Sequence, residues 1–188
     1  MAKKAQNLVF YLLILFFSFS MSAKQIVLSP SNNSQEEIQE ALIDLEPGDV
    51  LTLEAGEYYF EDGLSLDVDD VIFEGSGIDD TILNFENQIS GAQGLLVTSD
   101  DVTIRDFAIL DAKGDAIKVI GADGINMIRL RTEWTGGPKE TNGAYGFYPV
   151  ESKDVLIDGC VAIGASDAGI YVGQSQNIIV KNSIAQYN

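Results

Sequence analysis

The strongest constraint on what this chain can fold into is a segment that recurs at a fixed interval. Gly146-Phe147-Tyr148-Pro149 followed by Asp154-Val155-Leu156-Ile157 returns as Gly169-Ile170-Tyr171-Val172 followed by Asn177-Ile178-Ile179-Val180, with every position shifted by 23 residues. Earlier copies read Ala116-Ile117-Lys118-Val119 with Gly124-Ile125-Asn126-Met127, Gly94-Leu95-Leu96-Val97 with Asp101-Val102-Thr103-Ile104, and Gly63-Leu64-Ser65-Leu66 with Asp70-Val71-Ile72-Phe73. Self-similarity at such a period is the mark of a stacked-repeat fold. Inside each copy the side chains alternate, so that Ile117, Val119, Ile170 and Val172 face one way while Lys118 and Tyr171 face the other, as in a strand with one buried face. Two such strands and a third short one in about 23 residues leave no room for a crossover helix, so one repeat is one rung of a coil. Strands one rung apart then pair in parallel, and the usual hand of parallel crossovers makes this an all-β, right-handed parallel β-helix.

The turn between the second and third strands is an independent check. Its aligned position holds Gly75, Asp106, Arg129, Gly159 and Asn182. Gly, Asp and Asn tolerate the left-handed backbone that a one-residue corner requires; Arg129 is the exception. The next inward position holds Phe107, Leu130, Cys160 and Ser183, which reads Cys160 as a small core residue rather than a reactive thiol.

A rung exposes its interior, so the ends of such a coil need covers. Ser34-Gln35-Glu36-Glu37 reads as a capping box, and Ile38, Ala41, Leu42 and Leu45 follow at helical spacing. A short helix is expected to cover the first rung, with Pro47-Gly48 ending it and Val50, Leu51 and Leu53 starting the first strand. Ahead of this, Lys3 and Lys4, the apolar run Leu8 to Phe17 and the small residues up to Ala23 follow the order of a secretory signal peptide. The run is about half of the ~20 residues that span a bilayer. Residues 1–23 are therefore expected to be removed and 24–188 to form one β-helix domain, secreted or periplasmic, monomeric and without membrane insertion after signal removal. Asn188 falls in mid-repeat with no cap signal, so the coil is expected to run on beyond it.

Charge narrows the partners. Without Lys3 and Lys4, nine basic residues stand against 29 acidic ones, a mature net charge of −20. Nucleic acids and anionic membrane surfaces demand clustered Lys and Arg and are excluded. The chain has no histidine, which rules out a Ser/His/Asp triad in this segment and leaves a soft transition-metal site almost without ligands. Carboxylates keep Ca²⁺ open as a cofactor.

The interval between aligned second strands is 23 residues twice, but it stretches to 31 between Phe73 and Ile104 and to 30 between Met127 and Ile157. Both excesses fall after the third strand, around Asn84 to Gln93 and around Trp134 to Tyr145. Two insertions at one corner make two walls, and the outward column Leu96, Lys118, Tyr148 and Tyr171 runs beside them with rungs about 4.8 Å apart. Asp111, Asp115, Glu133, Trp134, Tyr145 and Asp167 are expected to complete the groove. Aromatic faces suit the apolar faces of sugar rings and carboxylates suit hydroxyl groups, so Asp115, Lys118, Glu133, Trp134, Tyr148, Asp167 and Tyr171 are the expected ligand-binding set, with a polysaccharide as partner. The alternative is that exposed Tyr and Lys merely suit a sheet surface.

Pro47-Gly48-Asp49, Ala55-Gly56-Glu57-Tyr58 and Gly75-Ser76-Gly77 with Thr81-Ile82-Leu83 resemble the opening of pectate-lyase-like β-helix proteins. Gly164 to Asn177 resembles the bacterial exported proteins named for their parallel β-helix repeats. The resemblance covers about 35–188 and implies the fold; it implies little chemistry, because that superfamily holds lyases, hydrolases, epimerases, adhesins and members without activity. Three functions therefore stay open: polysaccharide binding in the groove, a polysaccharide lyase or glycoside hydrolase in the same groove, and a structural or adhesive solenoid. For hydrolysis, Asp115 and Asp167 are expected at equivalent corners two rungs apart, a separation on the order of 10 Å. For elimination, Lys118 or Tyr148 would be the base, on a uronate whose carboxylate a cation neutralises.

Overall fold

The computed structural model describes residues 23–188, so the expected signal segment, Ala23 excepted, lies outside the described residues. Short strands coil into three sheets whose pairings are all parallel. The first sheet stacks Leu64–Leu66, Gln93–Val97, Asp115–Ile120, Tyr145–Val150 and Ala168–Ile170. The second stacks seven strands, from Gln25–Leu28 and Val50–Leu53 through Ile72–Glu74, Thr103–Arg105, Asn126–Ile128 and Lys153–Asp158 to Gln176–Lys181. The third runs Gly56–Tyr59, Thr81–Asn84, Ala108–Leu110, Arg131–Glu133, Val161–Ile163 and Ile184–Gln186.

The repeat read from the sequence is the register of the sheets. Phe73 pairs with Ile104, Ile104 with Met127, Met127 with Ile157 and Ile157 with Val180, across intervals both short and long. Inward residues of the three sheets meet in one core in which Phe73, Ile104, Phe107, Ile117, Met127 and Phe147 are all 0% exposed. Phe60 stacks on Phe85 with ring centroids 4.7 Å apart, and Phe73 tilts against Phe107 at 5.0 Å, so aromatic rings continue the ladder inside the coil. In the last rung Val172, Val180 and Ile184 are exposed.

The corners separate two reasons for a glycine. Asp106, Arg129, Gly159 and Asn182 have φ between 47° and 67°, as a one-residue corner demands. Gly75 does not share that conformation; it is needed because a Cβ there would lie 2.4 Å from the Asp106 carbonyl oxygen. Arg129 is held in its unfavourable backbone by a two-pronged pair with the corner residue one rung below, its Nε and Nη2 donating to Asp106 Oδ1 and Oδ2 at 2.6 and 2.7 Å. A second left-handed column, Asp70, Asp101, Gly124, Asp154 and Asn177, turns the chain from the first sheet into the second.

The N-terminal end differs from the sequence expectation in two respects. A strand, Gln25–Leu28, precedes the helix and pairs with Val50–Leu53, so the coil starts before its cover. The helix, α1 (Ser34–Ile43), buries Ile38 and Leu42, but Ser34 is its first helical residue and Asn33 at the cap makes no side-chain hydrogen bond. In place of a capping box, Ser31 donates to Glu37 Oε2 at 2.7 Å and Ser34 exchanges hydrogen bonds with the Ser31 backbone. Leu45 is buried beyond the helix end.

Candidate functional site

Both insertions do leave the coil at the corner between third and first sheets, following Thr81–Asn84 and Arg131–Glu133. Each is pinned to a neighbouring rung. Gln88 of the first is 1% exposed, donates to the Gln93 carbonyl at 2.8 Å and accepts from the Lys113 N–H at 2.9 Å. In the second, Thr135 donates its N–H and hydroxyl to the Asp111 carboxylate at 2.8 and 2.6 Å, and Asn142 donates to the carbonyls of Gly137 and Gly164. Asp111 is thereby a fastener of the wall. Between the two insertions lies a concavity of about 340 Å³, with Glu86 on one side and Thr135 and Asn142 on the other.

Next to this corner the chain enters the first sheet through a column of small residues, Gly94, Ala116, Gly146 and Gly169, all turned inward. At Gly146 a Cβ would sit 2.5 Å from Thr132 Oγ1 and 2.6 Å from the Gly169 carbonyl oxygen, so the strand can bend close to the third sheet only without a side chain. Because the next position, Leu95, Ile117 and Phe147, is also buried, the bend puts residues three apart on the same outer face. One outward column is Gln93, Asp115, Tyr145 and Ala168; the other is Ser65, Leu96, Lys118, Tyr148 and Tyr171.

Where these columns meet, side chains converge. Tyr145 stacks on Tyr171 with centroids 4.7 Å apart, and Tyr148 tilts against both at 4.7 and 5.4 Å. Lys118 Nζ stands 5.0 Å from the centre of the Tyr148 ring. The Asp167 carboxylate beside the Tyr145 hydroxyl pushes the phenol pKa up. Asp115, half-buried beneath this cluster, has its carboxyl pKa raised by desolvation, opposed by the Lys118 charge and by a hydrogen bond from the Tyr145 backbone. Asp115, Lys118, Tyr148, Asp167 and Tyr171 thus share one face with Tyr145.

Glu133 and Trp134 lie elsewhere, which corrects their expected place in the groove. Glu133 projects from the third sheet and is paired with Arg131, whose Nη2 also donates to the Ile78 carbonyl at 3.0 Å. Trp134 is 4% exposed, and its indole N–H donates to the Ala112 carbonyl at 2.7 Å, so its ring fills the corner and offers no face to a ligand. The expected equivalence of Asp115 and Asp167 also fails: Asp115 is two residues before Ile117 and Asp167 three before Ile170, and the register aligns Tyr145 with Ala168. Among the described residues no three carboxylate, Cys or His side chains converge on a metal position. Cys160 is 0% exposed, and burial pushes its thiol pKa up to about 11, as for a core residue.

No curated protein matches the sequence. In three dimensions the chain is similar to an alginate lyase from Paenibacillus sp. str. FPU-7, with TM-score 0.60 and 15% identity over 85% of this chain and 65% of that one. It is also similar to a PL6-family alginate lyase, with TM-score 0.57 and 17% identity over 86% of this chain and 25% of the other. The chain therefore spans less than two thirds of either, and likenesses this remote carry the fold alone. The sequence model described as the right-handed beta helix region matches residues 61–188, and the chain belongs to that family.

Proposed function

We propose that this chain binds an extracellular polysaccharide through the outer face of the first sheet, with Tyr145, Tyr148 and Tyr171 as the platform and Asp115, Lys118 and Asp167 as polar contacts. The observation that carries this reading is the packing of Tyr145, Tyr148 and Tyr171 against one another on the outer face of the sheet, with Lys118 over the Tyr148 ring. Stacked phenols are rigid, already desolvated on one side, and present hydroxyls beside apolar ring, which is what a pyranose surface complements at low entropic cost. The two structurally similar enzymes are alginate lyases, and their class of ligand supports a carbohydrate role. Export of the chain, secreted or periplasmic, belongs to the same proposal and is supported by the signal-like order of residues 1–23.

A second reading, a lyase or hydrolase in the same groove, is favoured by one observation. The Asp115 carboxyl is raised by burial, which suits a general acid. Affinity gel electrophoresis of the full chain against a polysaccharide panel tests both. Tyr148→Ala and Tyr171→Ala should each weaken retention about ten-fold, or about 1.4 kcal/mol. Loss of product release in Asp115→Asn, with retention kept, would select the enzyme; retention unchanged in both tyrosine variants would refute the groove.

A further inference from the structure

If the tyrosine face of the first sheet, the groove expected from the sequence, is the binding face, its charge decides which glycans it admits. Along its two outward columns the side chains are Gln93, Asp115, Tyr145 and Ala168, then Ser65, Leu96, Lys118, Tyr148 and Tyr171. Lys118 is the single cation among them. It stands over Tyr148 and acts on Asp115, so its charge is locally answered. Asp167 adds a carboxylate at one edge, beside the Tyr145 hydroxyl, and at the far edge Asp67 accepts from Thr98 Oγ1 at 2.7 Å.

Of the two nearby cations, Arg131 is committed, and Lys113 has no ion pair among the described residues. Arg131 is on the third sheet with Glu133, Asp79 and the Ile78 carbonyl. Lys113, at the corner concavity, shares it with Glu86 and Asp111. A polyuronate carries one carboxylate per sugar and needs a cation near each bound residue to offset desolvation. With its edges counted, this face offers two cations, Lys118 and Lys113, against the three carboxylates Asp115, Asp167 and Asp67, within a chain whose net charge is −18. A field of that sign also slows the approach of any polyanion. What the face does offer is aromatic surface together with the Gln93 amide, the Ser65 hydroxyl and phenols, which pair with sugar hydroxyls without a charge on the ligand.

We infer that the groove takes an uncharged glycan and excludes polyuronates, in contrast to the alginate lyases whose fold it shares. This rests on the groove being the binding face, and the experiment separates the two. The full chain is run in affinity gels containing uncharged β-glucan, galactomannan or xylan, or alginate or polygalacturonate, at about 0.01 M and about 1 M salt, where the Debye length is about 30 Å and about 3 Å. At low salt, retention by at least one uncharged polymer should exceed that by either polyuronate about ten-fold or more. It should change little with salt, and millimolar Ca²⁺ should not bring the polyuronates level. Asp115→Lys should narrow the gap.

Tighter retention by a polyuronate, lost in Tyr148→Ala, would overturn the charge assignment and leave the groove standing. Retention by none of the polymers, or retention indifferent to Tyr148→Ala, would overturn the groove and the inference with it.

Discussion

Tyr145 and Tyr171 lie one rung apart and in different outward columns, yet their rings stack at 4.7 Å with planes 16° apart. Residues in one column are neighbours by the repeat alone. This contact crosses columns, and it exists because Gly146 lets the strand bend and bring position 145 onto the face of position 148. The same bend places Asp115 beside Lys118.

The bend has a stability cost that substitution will show. Gly146→Ala puts a methyl group against Thr132 Oγ1 and a backbone carbonyl, and is expected to destabilise the fold by about 1 to 3 kcal/mol. Denaturant unfolding checks this.

Thr132 itself is 0% exposed, and its hydroxyl has no hydrogen-bond partner. Thr132→Val keeps the shape and removes the unsatisfied group. It is expected to be neutral or to stabilise by about 1 kcal/mol, read as a rise in the unfolding midpoint with unchanged slope.

At the corner between the second and third sheets, Arg129→Ala loses the pair with Asp106 and keeps a side chain at φ 47°, whereas Arg129→Gly loses the pair and relieves the backbone. The glycine variant should be more stable than the alanine variant by about 1 kcal/mol in the same unfolding assay. Equal stabilities would mean that the corner carries no strain.

Asp115 gives a pH dependence of definite sign. Its folded pKa lies above the ordinary 3.8, so the native state holds the proton more tightly than the unfolded chain. The ionised form is the penalised one, and the penalty is present at neutral pH and removed as pH falls through the raised pKa towards 3.8. Asp115→Asn should therefore unfold at a higher midpoint than the parent at pH 7, with the difference shrinking in acid. A difference that grows in acid would reverse the assignment.

The coil was legible because register in a β-helix is written directly in the repeat: alternation names the buried face, and the interval names the partner. The insertions were legible for the same reason, as excess over 23 residues. Gln25–Leu28 was not, because it has no copy at the common interval and a helix separates it from the strand it pairs with. Nor was the direction of Trp134, since an insertion carries no periodicity and its fate depends on Ala112, which offers a carbonyl from the preceding rung. Trp134→Ala should cost about 3 to 5 kcal/mol of stability, as a core cavity does. The offset of Asp167 from Asp115 is countable in the sequence, because Asp115 precedes Ile117 by two residues and Asp167 precedes Ile170 by three.

The most direct test of the tyrosine face is hydroxyl-radical footprinting of the chain with and without a retained polysaccharide. Tyr59 and Tyr187, 51% and 69% exposed and outside the Tyr145–Tyr148–Tyr171 cluster, serve as internal references. Tyr145, Tyr148 and Tyr171 are expected to lose reactivity together on binding while Tyr59 and Tyr187 keep theirs. Protection of Tyr59 or Tyr187 with the groove tyrosines unchanged would contradict this.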